Sequence, residues 1–351
     1  MSYIAKPKVT HSGLPRNSLG LNVRDYEGSM STLCAGCGHD SVTAAIVQAF
    51  FELEIPPHRA AKLSGIGCSS KTPTYFLKES HGVNSVHGRM PSVATGANAA
   101  NSGLTYIGIS GDGDSLSIGI GQMCHAIRRN LNILYCIENN GVYGLTKGQF
   151  SAAADIGSKN KRGVPNTLFP IDPVLLALSQ GATFVARSFS GDKKQLVPII
   201  KAALTHRGFA MLDVISPCVT FNDHSGSTKS YKHTRQHAVE VVQADFVPPA
   251  KEITVDMPAG TDSRVKLHDG SHVHLHKIAD DYDPTDRDAA YAYIRRHQDE
   301  GRVVTGLLYI DPHSDDMHAA ANTVDTPLYQ VPNAALCPGA TALRDLQKRF
   351  R

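Results

Sequence analysis

Apolar positions along the chain follow two regimes that change near residue 235. From Cys34 to about Thr220 the apolar segments are short and separated by Gly-rich turns. DSVTAAIVQAFFEL (40–53) spaces its apolar residues at helical intervals, with Asp40 suited to cap the start. TYIGIS (105–110) and LNILYCIE (131–138) are short, nearly unbroken apolar runs, which predict strands buried on both faces. Between them SLSIGIGQMCHAIRRN (115–130) predicts a helix weakened by Gly119 and Gly121, both suited to close approach of another backbone. PVLLALSQ then predicts a helix, ATFVARS a strand, KKQLVPIIKAALTH a helix and FAMLDVIS a strand. This alternation predicts an α/β fold with a mostly parallel sheet flanked by helices.

Beyond residue 235 charges and prolines become more frequent, and 11 of the 17 histidines lie at or after His206. DPTDRDAAYAYIRRHQDEG predicts a helix starting near Thr285 or Asp286, and VVTGLLYIDP a further strand. The pattern divides the chain into an arm (1–30), a main domain (31–235) and a C-terminal extension (236–351). His272, His274 and His276 alternate, which on a strand puts them on one face. With no fixed fourth ligand they read as the outer face of an edge strand rather than a metal site.

A chain of 351 residues with 41% hydrophobic and 19% charged residues is that of an ordinary soluble globular protein. Its formal charge of +3 makes no case for nucleic acid or an anionic membrane surface. No apolar run approaches the roughly 18–20 residues that span a bilayer. The segment MSYIAKPKVTHSGLPRNSLGL has no secretory h-region. Seven cysteines without an export signal point to reduced thiols acting as ligands, and so to the cytoplasm.

The sharpest chemistry sits at Gly111-Asp112-Gly113 and Asn139-Asn140-Gly141. Asp112 and Asn140 are 28 positions apart, with one helix and one strand between them. A right-handed βαβ crossover makes the flanking strands parallel and puts both loops on one sheet edge. If the strands are neighbours they lie about 4.8 Å apart. Oxygens about 2.1 Å from one Mg²⁺ ion can bridge that gap. Asp112 offers a carboxylate, Asn140 an amide oxygen, and Val142 a main-chain carbonyl. Gly111, Gly113 and Gly141 remove the Cβ atoms that would hold the backbone away from a diphosphate, and the helix after Asp114 would aim its N-terminus at it. A lone GDG or NNG is usually a turn. Together, in this strand and helix context, they match the thiamine-diphosphate signature. No GxGxxG opens a helix here as a dinucleotide site would need.

Cys34-Ala-Gly-Cys37 precedes a predicted helix, Cys68 lies in GIGCSSK, and Cys218 lies in SPC after a strand. A C-x-x-C with two further thiols suits a zinc site, a redox pair or an iron–sulfur cluster equally. The companion cofactor favours the cluster, because thiamine chemistry becomes an oxidation only with a one-electron acceptor nearby. Cys124, Cys136 and Cys337 lie in or near apolar runs and read as packing residues.

The motifs CAGCGH (34–39), GIGCSSKTP (65–73), HGRMPSVATGANAAN (87–101), GDGDSLSIGIGQ (111–122), ENNGVYGLTKGQFS (138–151) and SPC (216–218) resemble the β subunit of 2-oxoacid:ferredoxin oxidoreductases. The resemblance extends to YDPTDR (282–287) and VVTGLLYIDP. It implies a thiamine-diphosphate-binding fold, with Cys34, Cys37, Cys68 and Cys218 holding one [4Fe–4S] cluster. Mg²⁺ on thiamine diphosphate would be held by Asp112, Asn140 and the Val142 carbonyl. Gly67, Cys68, Ser69, His87, Gly111, Gly113, Asp114, Leu145 and Thr146 would line the cofactor. Lys71 and His87 would act near substrate, with Lys71 on the substrate carboxylate. Lys147 reads as either a functional or a solvated loop lysine, and His87 with Arg89 as a phosphate contact or a plain turn.

The resemblance further implies an α subunit that supplies the glutamate activating the cofactor. The implied reaction is coenzyme A-dependent oxidative decarboxylation of a 2-oxo acid, with electrons passed to ferredoxin. The C-terminal part resembles subunits acting on 2-oxoglutarate; pyruvate or a broad 2-oxo acid range is the alternative substrate. A non-oxidative thiamine decarboxylase, or a zinc-stabilised binding module, is the alternative function.

Overall fold

A computed structural model describes residues 13–160, 162–247, 262–266, 272–277 and 282–350. The strands are β1 (Ala60–Ser64), β2 (His81–Asn84), β3 (Thr105–Gly111), β4 (Ile133–Asn139), β5 (Val142–Tyr143), β6 (Gln149–Phe150), β7 (Phe184–Phe189), β8 (Phe209–Ile215), β9 (Ala238–Val247), β10 (Asp262–Lys266), β11 (His272–Lys277) and β12 (Val303–Ile310). The helices are α1 (Gly38–Glu52), α2 (Met90–Ala100), α3 (Ile120–Arg128), α4 (Pro173–Ser179), α5 (Lys193–Thr205), α6 (Tyr231–His237), α7 (Arg287–Asp299), α8 (Met317–Ala321), α9 (Asn333–Leu336) and α10 (Gly339–Lys348).

Ten strands form one sheet in the order β10-β11-β9-β12-β7-β8-β4-β3-β1-β2, and β5 and β6 pair apart from it. From β7 to β2 every pairing is parallel. All residues of β1, β4, β7 and β8 are buried, as strands covered by helices on both faces must be. The predicted parallel α/β sheet is therefore present. The strands beyond residue 235 continue that sheet, β9 and β12 pairing in parallel and β12 closing antiparallel on β7.

Sheet order, more than any single element, positions the chemistry. Parallel neighbours β8, β4, β3 and β1 end on one edge, so the chain following each emerges side by side. Gly111 is opposite Glu138, Asn139 is opposite Ile215, and Ile109 is opposite Ser64. The same edge receives the start of α1, where Gly38 N donates to Pro217 O at 3.4 Å.

Several local expectations change. α1 begins at Gly38 with Cys37 at its cap, so Asp40 lies inside the first turn, where its charge complements the helix dipole. The predicted 115–130 helix is broken: Gly113–Ile118 is a π-helical turn, and α3 starts only at Ile120. Gly119 marks the break, because a Cβ there would lie 2.8 Å from Asp114 O and 2.9 Å from Gly88 O. Gly121 has no such neighbour and makes no close approach. For α7 the cap is Asp286, whose side chain accepts from Ala289 N. Cys136 is in the core and Cys124 is half-buried, but Cys337 is exposed, contrary to a packing role. Residues 1–12 of the arm lie outside the described residues, as do the side chains of His272, His274 and His276. The rest of the arm packs on α1 through the buried Tyr26, whose ring meets Phe51 edge-on at 5.9 Å.

Candidate active site

Asp112 leaves the end of β3 and is 1% exposed, and Asn140 leaves the end of β4 at 5%. The Asp112 carboxylate accepts from Gly141 N at 2.9 Å and from the Ser151 hydroxyl. The Asn140 side-chain oxygen accepts from Val142 N at 3.0 Å, and its carbonyl accepts from Asn222 Nδ2 at 2.7 Å. The side chains are thus held by the loop after β4 and by Ser151 after β6, and the Asn140 main chain by the loop after β8. Burial pushes the Asp112 carboxyl up to about 6, against the pull of Ser151, nearby backbone N–H groups and the Lys229 charge. A buried carboxylate raised by desolvation is what a divalent cation would discharge. The glycines fit the same reading: a Cβ at Gly113 would sit 2.5 Å from the Tyr143 ring, so only glycine keeps that ring against the loop.

Asp114, 2% exposed, fastens the surrounding loops. Its carboxylate accepts from Gly88 N at 2.7 Å, Ile66 N at 3.2 Å and Ser110 Oγ at 2.7 Å. His87 lies with Nδ1 against the same carboxylate. The segments after β1, β2 and β3 are thereby tied to one side chain. A Cβ at Gly65 would fall 1.7 Å from Asp114 Oδ2, so the GIGCSS segment approaches this carboxylate only as glycine. What points at the cavity is the start of the π-helical turn, not the α-helix that the sequence predicts there.

The thiols form the second assembly. All seven cysteines are free. Cys34 is exposed, while Cys37, Cys68 and Cys218 are half-buried. They come from three distant segments and sense one another electrostatically: Cys34 bears on Cys68 and Cys218, and Cys218 on Cys37 and Cys68. Cys68 and Cys218 face one space, their sulfurs 3.4 and 3.6 Å from where a Gly144 Cβ would be. Burial pushes the Cys37 thiol up to about 12 and raises Cys68 and Cys218 as well. Backbone N–H groups oppose this: Thr220, Phe221 and Asn222 donate toward Cys218, and His39 toward Cys37. Such donors stabilise negative sulfur and are a standard part of cluster sites. Among the described residues no three His, Cys, Asp or Glu side chains converge tightly enough to hold a single metal ion.

The cradle and one of the thiols share a cavity whose wall includes Cys68, Ser69, Asp112, Asn140, Val142 and Glu138, while Cys34, Cys37 and Cys218 are not on it. Gly67, Gly111, Gly113 and Asp114 also line it. A roomier opening lies between residues 157–163 and Thr220–Gly226, but no buried carboxylate faces it, so the smaller cavity is the chemical site. Lys71 is not on that wall. Its Nζ donates to Thr32 O at 3.2 Å, and its charge bears on the Cys68 thiol. Leu145 is 52% exposed, and Thr146 bonds Gln149 at the surface.

Sequence reasoning missed several contributors. Ser151, Asn222 and Lys229 come from polar loops with no signal of their own. Lys229 Nζ is bonded to Asp155 Oδ1 at 3.0 Å, closing the loop after β6 onto the loop after Cys218. A buried chain also runs from Asn139 Nδ2 to Asp213 at 3.0 Å, on to Arg187 at 2.7 Å, and to Asp172 at 2.7 Å. Gln298 of α7 joins its far end. This one was readable, because Arg187 and Asp213 are lone charges inside apolar strand runs, and such charges are buried only when paired. For Asp172 the cost of burial is outweighed by Arg187 and the N–H groups at the start of α4, and its pKa falls. For the deeper Asp213 burial wins, and its pKa rises.

Residues 65–214 match the family described as thiamine pyrophosphate enzyme, C-terminal TPP binding domain. That span contains β2 through β7 and all of β8 but its last residue, and with them Asp112 and Asn140. A 2-oxoacid:ferredoxin oxidoreductase subunit beta from Saccharolobus solfataricus is 44% identical over 208 residues, 59% of this chain and 68% of that protein. The 2-oxoglutarate oxidoreductase subunit KorB of Mycobacterium tuberculosis is 36% identical over 238 residues, 67% of this chain and 63% of that one. Among solved structures, the 2-oxoglutarate:ferredoxin oxidoreductase from Magnetococcus marinus, with 2-oxoglutarate, coenzyme A and succinyl-CoA bound, superposes with a TM-score of 0.69 at 31% identity. The match covers 86% of this chain and 89% of that one. A parallel sheet edge bearing this carboxylate–amide pair, together with these relatives, places the chain in the family of 2-oxoacid:ferredoxin oxidoreductase β subunits.

Proposed function

We propose that the chain, paired with an α subunit, carries out coenzyme A-dependent oxidative decarboxylation of a 2-oxo acid and delivers the electrons to ferredoxin. The favoured substrate is 2-oxoglutarate, the substrate named for the Mycobacterium tuberculosis and Magnetococcus marinus relatives. The observation that carries the reading is one cavity lined by both the buried Asp112–Asn140 pair and Cys68.

In this reading Asp112, Asn140 and the Val142 carbonyl hold Mg²⁺ on thiamine diphosphate, and Cys34, Cys37, Cys68 and Cys218 hold one [4Fe–4S] cluster. Thiamine diphosphate supplies the chemistry that releases CO₂ from a 2-oxo acid, and the cluster accepts electrons singly. The chain contributes placement. Ser151 and Gly141 N hold the Asp112 carboxylate, Val142 N holds the Asn140 side-chain oxygen and Asn222 its main chain, and Asp114 locks the GIGCSS and His87 segments to the same turn. Tyr143 covers Gly113, donating to its carbonyl at 2.9 Å.

Among the described residues no three His, Cys, Asp or Glu side chains converge on one point, which suits a multi-iron cluster better than a single tetrahedral zinc. All seven thiols are free, as a reducing compartment keeps them, and no helix among the described residues is long and apolar enough to cross a membrane. The test is anaerobic purification with the α subunit, iron and sulfide analysis, and electron paramagnetic resonance as 2-oxo acids are added with coenzyme A. The expected result is one cluster per chain, reduced most readily by 2-oxoglutarate. A preparation holding thiamine diphosphate but neither iron nor sulfide overturns it and points to a non-oxidative decarboxylase.

A further inference from the structure

Glu138 is the last residue of β4 before the Asn139-Asn140 pair, and it is fully buried. A carboxyl in such a place is tolerated only if its oxygens are engaged. Thr72 Oγ1 donates to it at 2.9 Å, with its second oxygen 3.2 Å away. His39 Nδ1 lies 3.5 Å from Oε2 and 2.6 Å from Ser216 Oγ.

The partners are not a random sample of the interior. Thr72 belongs to the turn that opens at Cys68, where Lys71 N donates to Cys68 O at 3.1 Å. His39 lies two residues after Cys37, and Ser216 two before Cys218. Two cysteine-bearing segments therefore meet one carboxyl, and the third joins them through the bond between His39 and Ser216, 177 positions apart in the chain. The same strand end continues directly into Asn140.

Resting on the cluster reading above, we propose that Glu138 is a positioning residue of the iron–sulfur site. It holds the Cys37, Cys68 and Cys218 segments in register with the end of β4, and so sets where the thiol cage stands relative to the Asp112–Asn140 cradle. It acts through Thr72 and His39, and through His39 on Ser216.

The experiment uses the anaerobically prepared αβ enzyme with Glu138→Leu, Glu138→Gln and Thr72→Val. Iron and sulfide per chain, the resonance spectrum and midpoint potential of the cluster, and calorimetric affinity for thiamine diphosphate with Mg²⁺ are measured on each. Glu138→Leu is expected to lose most of its iron, or to keep it with a changed spectrum and shifted potential, a larger change than any in cofactor affinity. Thr72→Val, which keeps its side-chain shape, should move the cluster readouts in the same direction by less. Glu138→Gln keeps an acceptor oxygen for Thr72 and should restore the iron content.

Wild-type iron, spectrum and potential in both Glu138→Leu and Thr72→Val would overturn the proposal. So would a parallel loss of iron, cofactor affinity and thermal midpoint, which marks a general core defect. If Glu138→Leu does not fold, Thr72→Val decides alone. Absence of iron from the wild-type enzyme instead sinks the cluster reading itself, so the two failures are distinguishable.

Discussion

The cradle around Asp112 and the cage of thiols lie on the same sheet edge yet are built in opposite ways. In the cradle the functional side chains are at most 5% exposed, and each has a protein partner in place. The cage is half-open, with Cys34 exposed and its sulfur met by Thr220 Oγ1 at 3.7 Å. The difference follows from where the residues sit. Asp112 and Asn140 end neighbouring central strands, whose register ties them to the core. The cysteines lie on loops and on the cap of α1, with neighbours that are mostly other loops. The cradle is held in place by the protein's own hydrogen bonds, whereas the cage is open to solvent on one side.

The sharpest test of that contrast is reciprocal. Asp112→Ala should abolish retention of thiamine diphosphate and Mg²⁺, a loss exceeding the roughly 10–100-fold typical of an outer-shell partner, and leave iron content unchanged. Cys218→Ala should do the opposite, removing iron while calorimetric cofactor affinity persists. If either variant loses both centres, cradle and cage are one cooperative unit and the contrast fails.

A second test concerns the floor beneath the cradle. Arg187→Met leaves Asp172 and Asp213 buried without their cation, which should cost about 3–5 kcal/mol in denaturant unfolding. Cofactor affinity should fall with it, since Asp213 holds Asn139. Iron content in the folded fraction should not.

The smallest effect lies under the cage. Lys62 donates to Phe76 O at 2.6 Å and Leu77 O at 2.9 Å, at the end of the turn opened by Cys68. Burial lowers its pKa from 10.5 to about 8. The unfolded chain therefore binds this proton more tightly, and the cost of keeping Lys62 charged is present below pH 8. It is relieved as pH rises from about 8 to 10.5, so folding stability should gain across that window. Lys62→Met should flatten that slope, as read from urea midpoints on either side of the window. An unchanged slope would mean that the lysine is hydrated rather than buried.

Much of the cradle was legible because its residues are contiguous in the chain. GDGD and ENNG end apolar runs, and a run that ends in glycine and carboxylate marks a strand edge where a ligand is held. The strands and helices from 40 to 215 were legible for a similar reason, since burial imposes period on sequence. The close approach at Gly119 was legible too, but not that it breaks the helix, because the approaching backbone includes Gly88 on another loop. Nor was the cap at Cys37: Asp40 is the better capping type, but the packing of Gly38 against Ser216 and Ser190 starts the helix earlier. Glu138 read as the tail of a strand and gave no hint of three loops meeting on it.

By itself the sequence determined which residue types stand at the strand ends and how far apart along the chain they lie. It thereby determined that a carboxylate–amide pair and a set of thiols were available. The tertiary structure alone decided that β8, β4, β3 and β1 are neighbours in that order, and so which of those ends meet. Periodicity reports whether a strand is buried, but its neighbours are chosen by the packing of the whole sheet. A contact between His39 and Ser216 is a property of that packing rather than of either segment.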